Sequence, residues 1–401
     1  MTWGVEIAPL DAEAKLASRV PKVFARAEVQ YRGMLESLKG TTDRFPRRFQ
    51  DGELVTVPAK DWCSGFFAGS MWYLYDYTRS DFWKKTAAEW THRLECLRHD
   101  AVQHDVGFRT YCPAGNALRL TGDRWYADFL HDTAAALRTR YDDRLGLIRS
   151  WNSPADPKGF TPRFLVIIDN MMNLELLEWD ARNGGDLKSA EVARRHADNT
   201  DAHHFRLDGS AYHVLDYDPR NGKVRGMFAG QGATAEGTWA RGQSWAIYGF
   251  TMMFRETRDL KYLARAERSA DYWLGEPNLP KDGVPYWDFH AEAVPDEERD
   301  ASAAAITASA FLELSTFAAP DKAVRYRGMA VRTLLTLSSD AYLAKAGENG
   351  NFILMHSVGQ KPSWYENPKS GEVDVPLSYA DYYYLEAMVR FARIKGDGNT
   401  K

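Results

Sequence analysis

Helical periodicity that no linker interrupts is the feature that most limits what this chain can fold into. Apolar residues recur at three- and four-residue spacing in about a dozen stretches, near 11–38, 62–78, 81–99, 108–121, 123–141, 169–183, 188–200, 239–257, 259–275, 300–318, 321–340 and 379–394. Such spacing turns one face of each helix toward a core. Cap residues stand at several of the starts, at Ser80-Asp81, Asp123, Asp259, Asp300 and Ser378. Strand-like pieces are confined to 143–150, 163–168 and 204–217, the last with a turn at Asp208-Gly209. No Pro/Gly/Ser-rich segment divides the chain, so 1–401 is expected to form a single domain.

The residues able to do chemistry gather where alternate helices begin. Trp62-Cys63-Ser64-Gly65 opens the second helix, and His104-Asp105-Val106-Gly107-Phe108 leads into the fourth. Asp169-Asn170-Met171-Met172-Asn173 opens the sixth, and Gly237-Thr238-Trp239-Ala240-Arg241-Gly242-Gln243-Ser244-Trp245 the eighth. Arg299-Asp300-Ala301-Ser302 and Ser378-Tyr379-Ala380-Asp381-Tyr382 open the tenth and twelfth. Twelve helices in antiparallel hairpins can close into a ring with alternate helices inside and parallel. Six inner N-termini then meet at one mouth, where free N–H groups and dipole ends favour an anion. The expected fold is all-α, a toroid of six hairpins with a few short β hairpins in its loops.

The Trp/Arg run says most about the ligand. A guanidinium can pair with a carboxylate through two parallel bonds, and an indole offers a flat apolar face to a sugar ring. A site that does both suits a uronic acid; the alternative is an arginine stem lying along two core tryptophans. Thirteen Trp in the chain fit carbohydrate stacking and an aromatic helical core equally well. A net charge of −4 with no basic block argues against a nucleic-acid or anionic-membrane partner. No apolar run is long enough to span a bilayer. Cys63, Cys96 and Cys112 form no metal-spaced pair and read as free thiols. The N-terminus lacks a signal-peptide pattern, which leaves a cytoplasmic or, after processing, a periplasmic home open.

Asp105 and Asp169 are the candidate acid and base. Asp169 follows the apolar run Phe164-Leu165-Val166-Ile167-Ile168, which carries it to the edge of the core. Partial burial there raises a carboxyl's pKa and keeps it protonated, as a general acid requires. Asp105 stands beside His104 and near Gly107, which permits close backbone approach. Both also read as helix N-caps, a position Asp favours. His213 in a hairpin-like segment, Gln231 between two glycines, and Trp62 at an inner-helix start are candidate ligand contacts; each also has a plain structural reading. Asp300 and Asp381 read as caps that close the barrel. The adjacent pair His203-His204 lacks zinc-site spacing, so no metal and no cofactor are assigned.

The ordered motifs Trp62-Cys-Ser-Gly-Phe, His104-Asp-Val-Gly-Phe, Ile168-Asp-Asn-Met-Met-Asn, Asp208-Gly-Ser-Ala-Tyr-His, Thr238-Trp-Ala-Arg-Gly-Gln-Ser-Trp, Arg299-Asp-Ala-Ser-Ala and Tyr379-Ala-Asp-Tyr-Tyr-Tyr-Leu-Glu resemble glycoside hydrolase family 88, the unsaturated glucuronyl hydrolases. The resemblance spans about residues 60 to 392 and implies an (α/α)6 barrel without a metal. It implies removal of a 4,5-unsaturated uronic acid from lyase-generated oligosaccharides by hydration of the C4=C5 vinyl ether. The carboxylate-separation rule of ordinary glycosidases therefore does not apply. By the same resemblance Asp169 looks like the general acid/base and Asp105 its partner. Arg241, Gln231 and Trp239 look like the uronate-carboxylate group, with Trp245 in the same motif. His104 and His213 look like substrate contacts, and Trp62 like a stacking wall.

The segment 356–369 is longer and more aromatic than the family pattern, and its Ser357 and Lys361 are candidate contacts to a sulfate or N-acetyl group next door. The partner is thus an unsaturated oligosaccharide, met by a monomer or weak dimer. Three rival readings remain: an unsaturated rhamnogalacturonyl hydrolase on pectin fragments, a sugar isomerase or epimerase on the same toroid, and a non-catalytic sugar-binding toroid.

Overall fold

The computed structural model describes residues 10–152, 163–361 and 371–396. Among them twelve α-helices alternate between an outer and an inner ring. The outer helices are α1 (Leu10–Ser37), α3 (Asp81–His92), α5 (Arg124–Arg138), α7 (Lys188–His203), α9 (Leu260–Gly275) and α11 (Pro320–Leu337). The inner ones are α2 (Ser64–Thr78), α4 (Cys112–Thr121), α6 (Leu174–Arg182), α8 (Ala240–Thr257), α10 (Ala301–Leu314) and α12 (Ser378–Lys395). The two sets differ in sequence for a physical reason. An outer helix buries one stripe: α5 buries Tyr126, Phe129, Leu130, Thr133, Ala134 and Leu137 at three- and four-residue spacing. An inner helix has neighbours all round. Every residue of α10 from Ala301 to Leu312 is buried, and its alanines and serines let the crowded ring close.

Each inner helix packs on the outer helix that follows it, from α2·α3 to α10·α11, and α12 meets α1 to join the chain's two ends. Around the inner ring, α12, α2 and α4 are neighbours, as are α6, α8, α10 and α12. The α4/α6 junction differs. It is bridged by the turns that lead into these helices, a π-helical turn at Gly107–Tyr111 and a 3-10 turn at Ile168–Asn173. These are the turns that follow Asp105 and contain Asp169.

Asp123, Asp259 and Asp300 cap their helices, each side chain accepting from the backbone N–H two residues on. Three expected caps differ. Ser80 sits at the N-cap of α3 without a side-chain bond, and Ser378 lies inside α12, whose cap position is Leu377. Asp381 lies in the first turn of α12, where its side chain accepts from the Ile353 and Leu354 backbone N–H groups.

The short sheets sit in the loops. β1 (Arg44–Gln50) and β2 (Glu53–Pro58) form a hairpin; β3 (Tyr141–Asp142) and β4 (Leu147–Ile148) form another. β5 (Phe164–Ile167), β6 (Val214–Tyr217) and β7 (Val224–Phe228) make a three-stranded antiparallel sheet. The first hairpin and β7 were not expected from the pattern. β1 holds Pro46 and three arginines and so hides its alternation, although the Asp51-Gly52 turn, with φ of 54° and 81°, was a readable hairpin signal.

Candidate active site

At the mouth where the inner helices begin lies a cavity of about 280 Å³. Asp105, Asp169, Trp62, His213, Gln231, Arg241 and Lys361 all line it, five of them from separate motifs and Gln231 and Lys361 from loops. Asp169 arrives on the fully buried strand β5, whose register is continued by Ile168 N–H donating to the His213 carbonyl at 3.0 Å. Asp105 arrives just before the π-helical turn.

Both carboxylates are 7% exposed, and among the described residues neither has a Lys or Arg within ion-pair distance. Their near neighbours are imidazoles: His104 Nε2 lies 3.4 Å from Asp105 Oδ1, and His213 Nε2 lies 3.5 Å from Asp169 Oδ2. Burial pushes each of these histidines down to about 3, so they remain neutral and bring no compensating charge. Burial also pushes Asp169 up to about 7, helped by the like charge of Asp105 and opposed by Arg241. Asp105 is likewise pushed up to about 7 by burial, with Arg109 and Arg140 opposing and Asp61 adding to the rise. Two acids poised near neutrality on one cavity floor can exchange a proton with a bound molecule in either direction.

His213 is held by the loop Ala229-Gly230-Gln231. Its Nδ1 lies 2.9 Å from the Gln231 backbone nitrogen and 3.1 Å from the Ala229 carbonyl. A Cβ at Gly230, which has φ of 63°, would sit 1.9 Å from that nitrogen, so only glycine permits the wrap. Trp239 packs against the imidazole, with ring centroids 4.3 Å apart and planes tilted by 35°.

Arg241 is fully buried and already engaged. Nη1 donates to Asp300 Oδ2 (2.9 Å) and the Val358 carbonyl (2.6 Å), and Nη2 to the Gly359 carbonyl (2.6 Å). Gln231 Nε2 donates to that same Gly359 carbonyl at 2.9 Å. Among the described residues Nε has no partner, and Nη2 gives only one of its two N–H groups to Gly359, so two N–H groups on one edge of the guanidinium remain for a carboxylate. The capping role read for Asp300 stands, and the residue also anchors this guanidinium.

Three of the singled-out residues back the wall and do not line it. His104 is fully buried behind Asp105. Trp245 packs between Phe108 and Tyr383 and helps hold the Asp169 pKa down. Trp239 lies under His213 and Arg241, whose guanidinium carbon is 4.4 Å from its ring. Ser357 is also away from the cavity, buried in a ribbon opposite Val375. Lys361 is at the rim, tied to Glu297 at 2.6 Å and to Glu298. The rest of that loop, 362–369, lies outside the described residues.

The structure adds lining residues that the sequence did not single out: Trp151, Arg47, Gln103 and Gln360. Trp151 meets His104 edge-on, and lies beyond the β3/β4 hairpin with no helical pattern to flag it. Arg47 comes from the unexpected β1 and is bound to Glu372 and Asp61. Among the described residues no three His, Cys, Asp or Glu side chains are grouped as metal ligands.

No protein-family model matches the chain. The unsaturated glucuronyl hydrolase of Formosa agariphila is 42% identical over 379 residues, covering 94% of this chain and 91% of that protein. The enzyme of the same name from Bacillus sp. GL1 is 33% identical over 365 residues, covering 89% and 93%. A crystal structure of an unsaturated glucuronyl hydrolase specific for heparin matches with a TM-score of 0.89 at 40% identity, over 96% of this chain and 100% of that one. Seven motifs in order, the doubled ring of helices and these relatives agree: the chain belongs to the unsaturated glucuronyl hydrolases, glycoside hydrolase family 88.

Proposed function

We propose that this chain removes the terminal 4,5-unsaturated uronic acid from lyase-generated oligosaccharides, of glycosaminoglycan or similar origin, by hydrating the C4=C5 vinyl ether. It acts as one catalytic domain, monomeric or weakly dimeric. The observation that carries the reading is the pair of buried carboxylates without cation partners, each poised at about 7. Hydration needs one group that first gives a proton and then takes one from water.

Asp169 in its acid form gives its proton to C4, and the π electrons make the new C–H bond. Positive charge then develops at C5 and the ring oxygen, where the Asp105 carboxylate steadies it. Water adds at C5 and loses a proton to the Asp169 carboxylate, restoring the acid. The hemiketal opens at the ring oxygen to a C5 ketone. The hemiacetal left at C1 collapses to an aldehyde and releases the shortened sugar. Trp62 and Trp151 supply flat walls for the ring. The uronate carboxylate is met by Arg241 Nε and the Gln231 amide, in a mouth to which six inner-helix N-termini contribute positive dipole ends.

The ultraviolet absorbance of the conjugated enoate disappears on hydration, which gives the test. Purified protein, with and without EDTA, is assayed on unsaturated disaccharides from heparin, chondroitin, hyaluronan, ulvan and pectin. Decay on a glucuronyl-type disaccharide is expected and ranks the neighbouring sugars. Decay on the rhamnogalacturonan fragment alone would assign the rival pectin activity, and no decay on any would overturn the reading.

A further inference from the structure

We propose that Asn173 is a positioning residue that fixes the placement of Asp105 relative to Asp169 by bridging the two turns that carry them. The proposal rests on the hydration reading above. Asn173 stands four residues after Asp169, at the end of the 3-10 turn, and is fully buried. Its Oδ1 accepts from the Gly107 backbone N–H at 2.8 Å, two residues beyond Asp105. Its Nδ2 donates to Asn170 Oδ1 at 2.9 Å and lies 3.5 Å from His104 Nδ1. Asn170, next to Asp169, passes the connection on, its Nδ2 donating to the Ile148 carbonyl at 2.8 Å.

An amide buried in an apolar junction is costly unless its donors and acceptor are matched. Here they are matched by the segments that carry the two acids. The approach is close: a Cβ on Gly107 would lie 2.9 Å from Asn173 Oδ1 and 3.0 Å from Asn173 Cα. This is also the ring junction where lead-in turns take the place of direct helix packing. Ser150 ties the segments that lead into the two acids, accepting from His104 N–H at 3.2 Å and Ile167 N–H at 3.0 Å, whereas Asn173 joins the two turns themselves. Because Asp105 acts on Asp169 through its charge, the bridge also sets how strongly the two titrations are linked.

Asn173→Ala removes the bridge from one side; Gly107→Ala pushes it apart from the other and leaves Asn173 in place. For both, kcat and KM are measured by enoate decay from pH 5 to 9, alongside the melting temperature. We expect kcat to fall about tenfold to hundredfold with KM within about threefold, the cost of misplacing a reacting group by a fraction of an ångström to an ångström. We also expect the limb of kcat that declines above neutrality to move to lower pH, because Asp169 feels less of Asp105. Folded variants that keep wild-type kcat and an unmoved limb would make Asn173 a core filler and overturn the proposal. Loss of folding in both variants would overturn it too, since positioning leaves the fold intact. If the wild-type protein consumes no enoate on any disaccharide, the hydration reading itself fails, an outcome visible before any variant is made.

Discussion

The barrel has two mouths lined with carboxylates, and they are built on opposite principles. Toward the far mouth, where the inner helices end, a cavity of about 790 Å³ holds Glu313 and Glu386 together with Glu175 from the first turn of α6. Each of these acids has an arginine. Arg255 reaches Glu175 and Glu313, and Arg390 reaches Glu313 at 2.9 Å and Glu386 at 3.5 Å. Glu386 also accepts from Tyr73 (2.7 Å), Tyr248 (3.0 Å) and Ser309 (2.6 Å), tying α2, α8 and α10 to α12. Arginines there also suit the negative ends of the helix dipoles. At the near mouth Asp105 and Asp169 face neutral imidazoles. The larger cavity is therefore the more settled one, its arginines holding Glu313 below the usual carboxylate range while burial still raises Glu175, and the smaller holds acids with no cation partner. Burial with compensation stitches a ring together; burial without it prepares a proton donor.

Removing the negative charge of Asp105 tests the near mouth with the larger expected effect. Asp105→Asn should lower kcat by about a hundredfold, the scale of a lost acid/base partner. It should also move the alkaline limb of kcat to lower pH, since Asp105 helps to raise Asp169. A limb that stays in place would show that the two acids are not linked. At the far mouth Glu386→Gln should do the reverse. It leaves Arg390 short of one partner and should cost about 3 kcal/mol of unfolding free energy, read by urea denaturation. The kcat per folded molecule should stay within about twofold. A rate loss without a stability loss would erase the distinction between the mouths.

The smallest effect is a pH dependence of stability. Asp105 and Asp169 at about 7 and Asp381 at about 8 all lie above an unfolded Asp, near 3.9. The folded protein then binds more protons than the unfolded chain between these values. The stabilisation from these three acids is complete below about pH 4 and is lost as pH rises through 7 to 8. The melting temperature should therefore fall from pH 5 to pH 8, and Asp169→Asn should make that fall shallower by a few degrees at most. An unchanged slope would mean that Asp169 titrates normally.

Much of the near mouth was legible in the chain. Inner and outer helices could be told apart because motif residues open every second helix, and the convergence of six starts follows from hairpin geometry alone. Asp169 was found because an apolar strand points to it, and Asp105 through its neighbours His104 and Gly107. What escaped depends on long-range contact. Arg241 reads as a free fork, yet its Nη atoms are bound to Asp300 and to the carbonyls of Val358 and Gly359, 117 and 118 residues away. Trp151 and Arg47 come from loop hairpins whose placement no periodicity encodes, and Asn173 is one amide in a helix start until Gly107 is seen against it. The far mouth was not anticipated, because its partners lie on different helices and meet only when the ring closes.

The most direct test of the central claim is the rate of enoate decay by wild-type protein and by Asp169→Asn, on one unsaturated glucuronyl disaccharide, from pH 5 to 9. The account expects the wild-type rate to decline as pH rises through about 7. It expects the variant to be slower by about a hundredfold or more, with no such limb. An Asp169→Asn protein that matched the wild type in rate, or that kept its alkaline limb, would contradict the assignment of Asp169 as the proton donor.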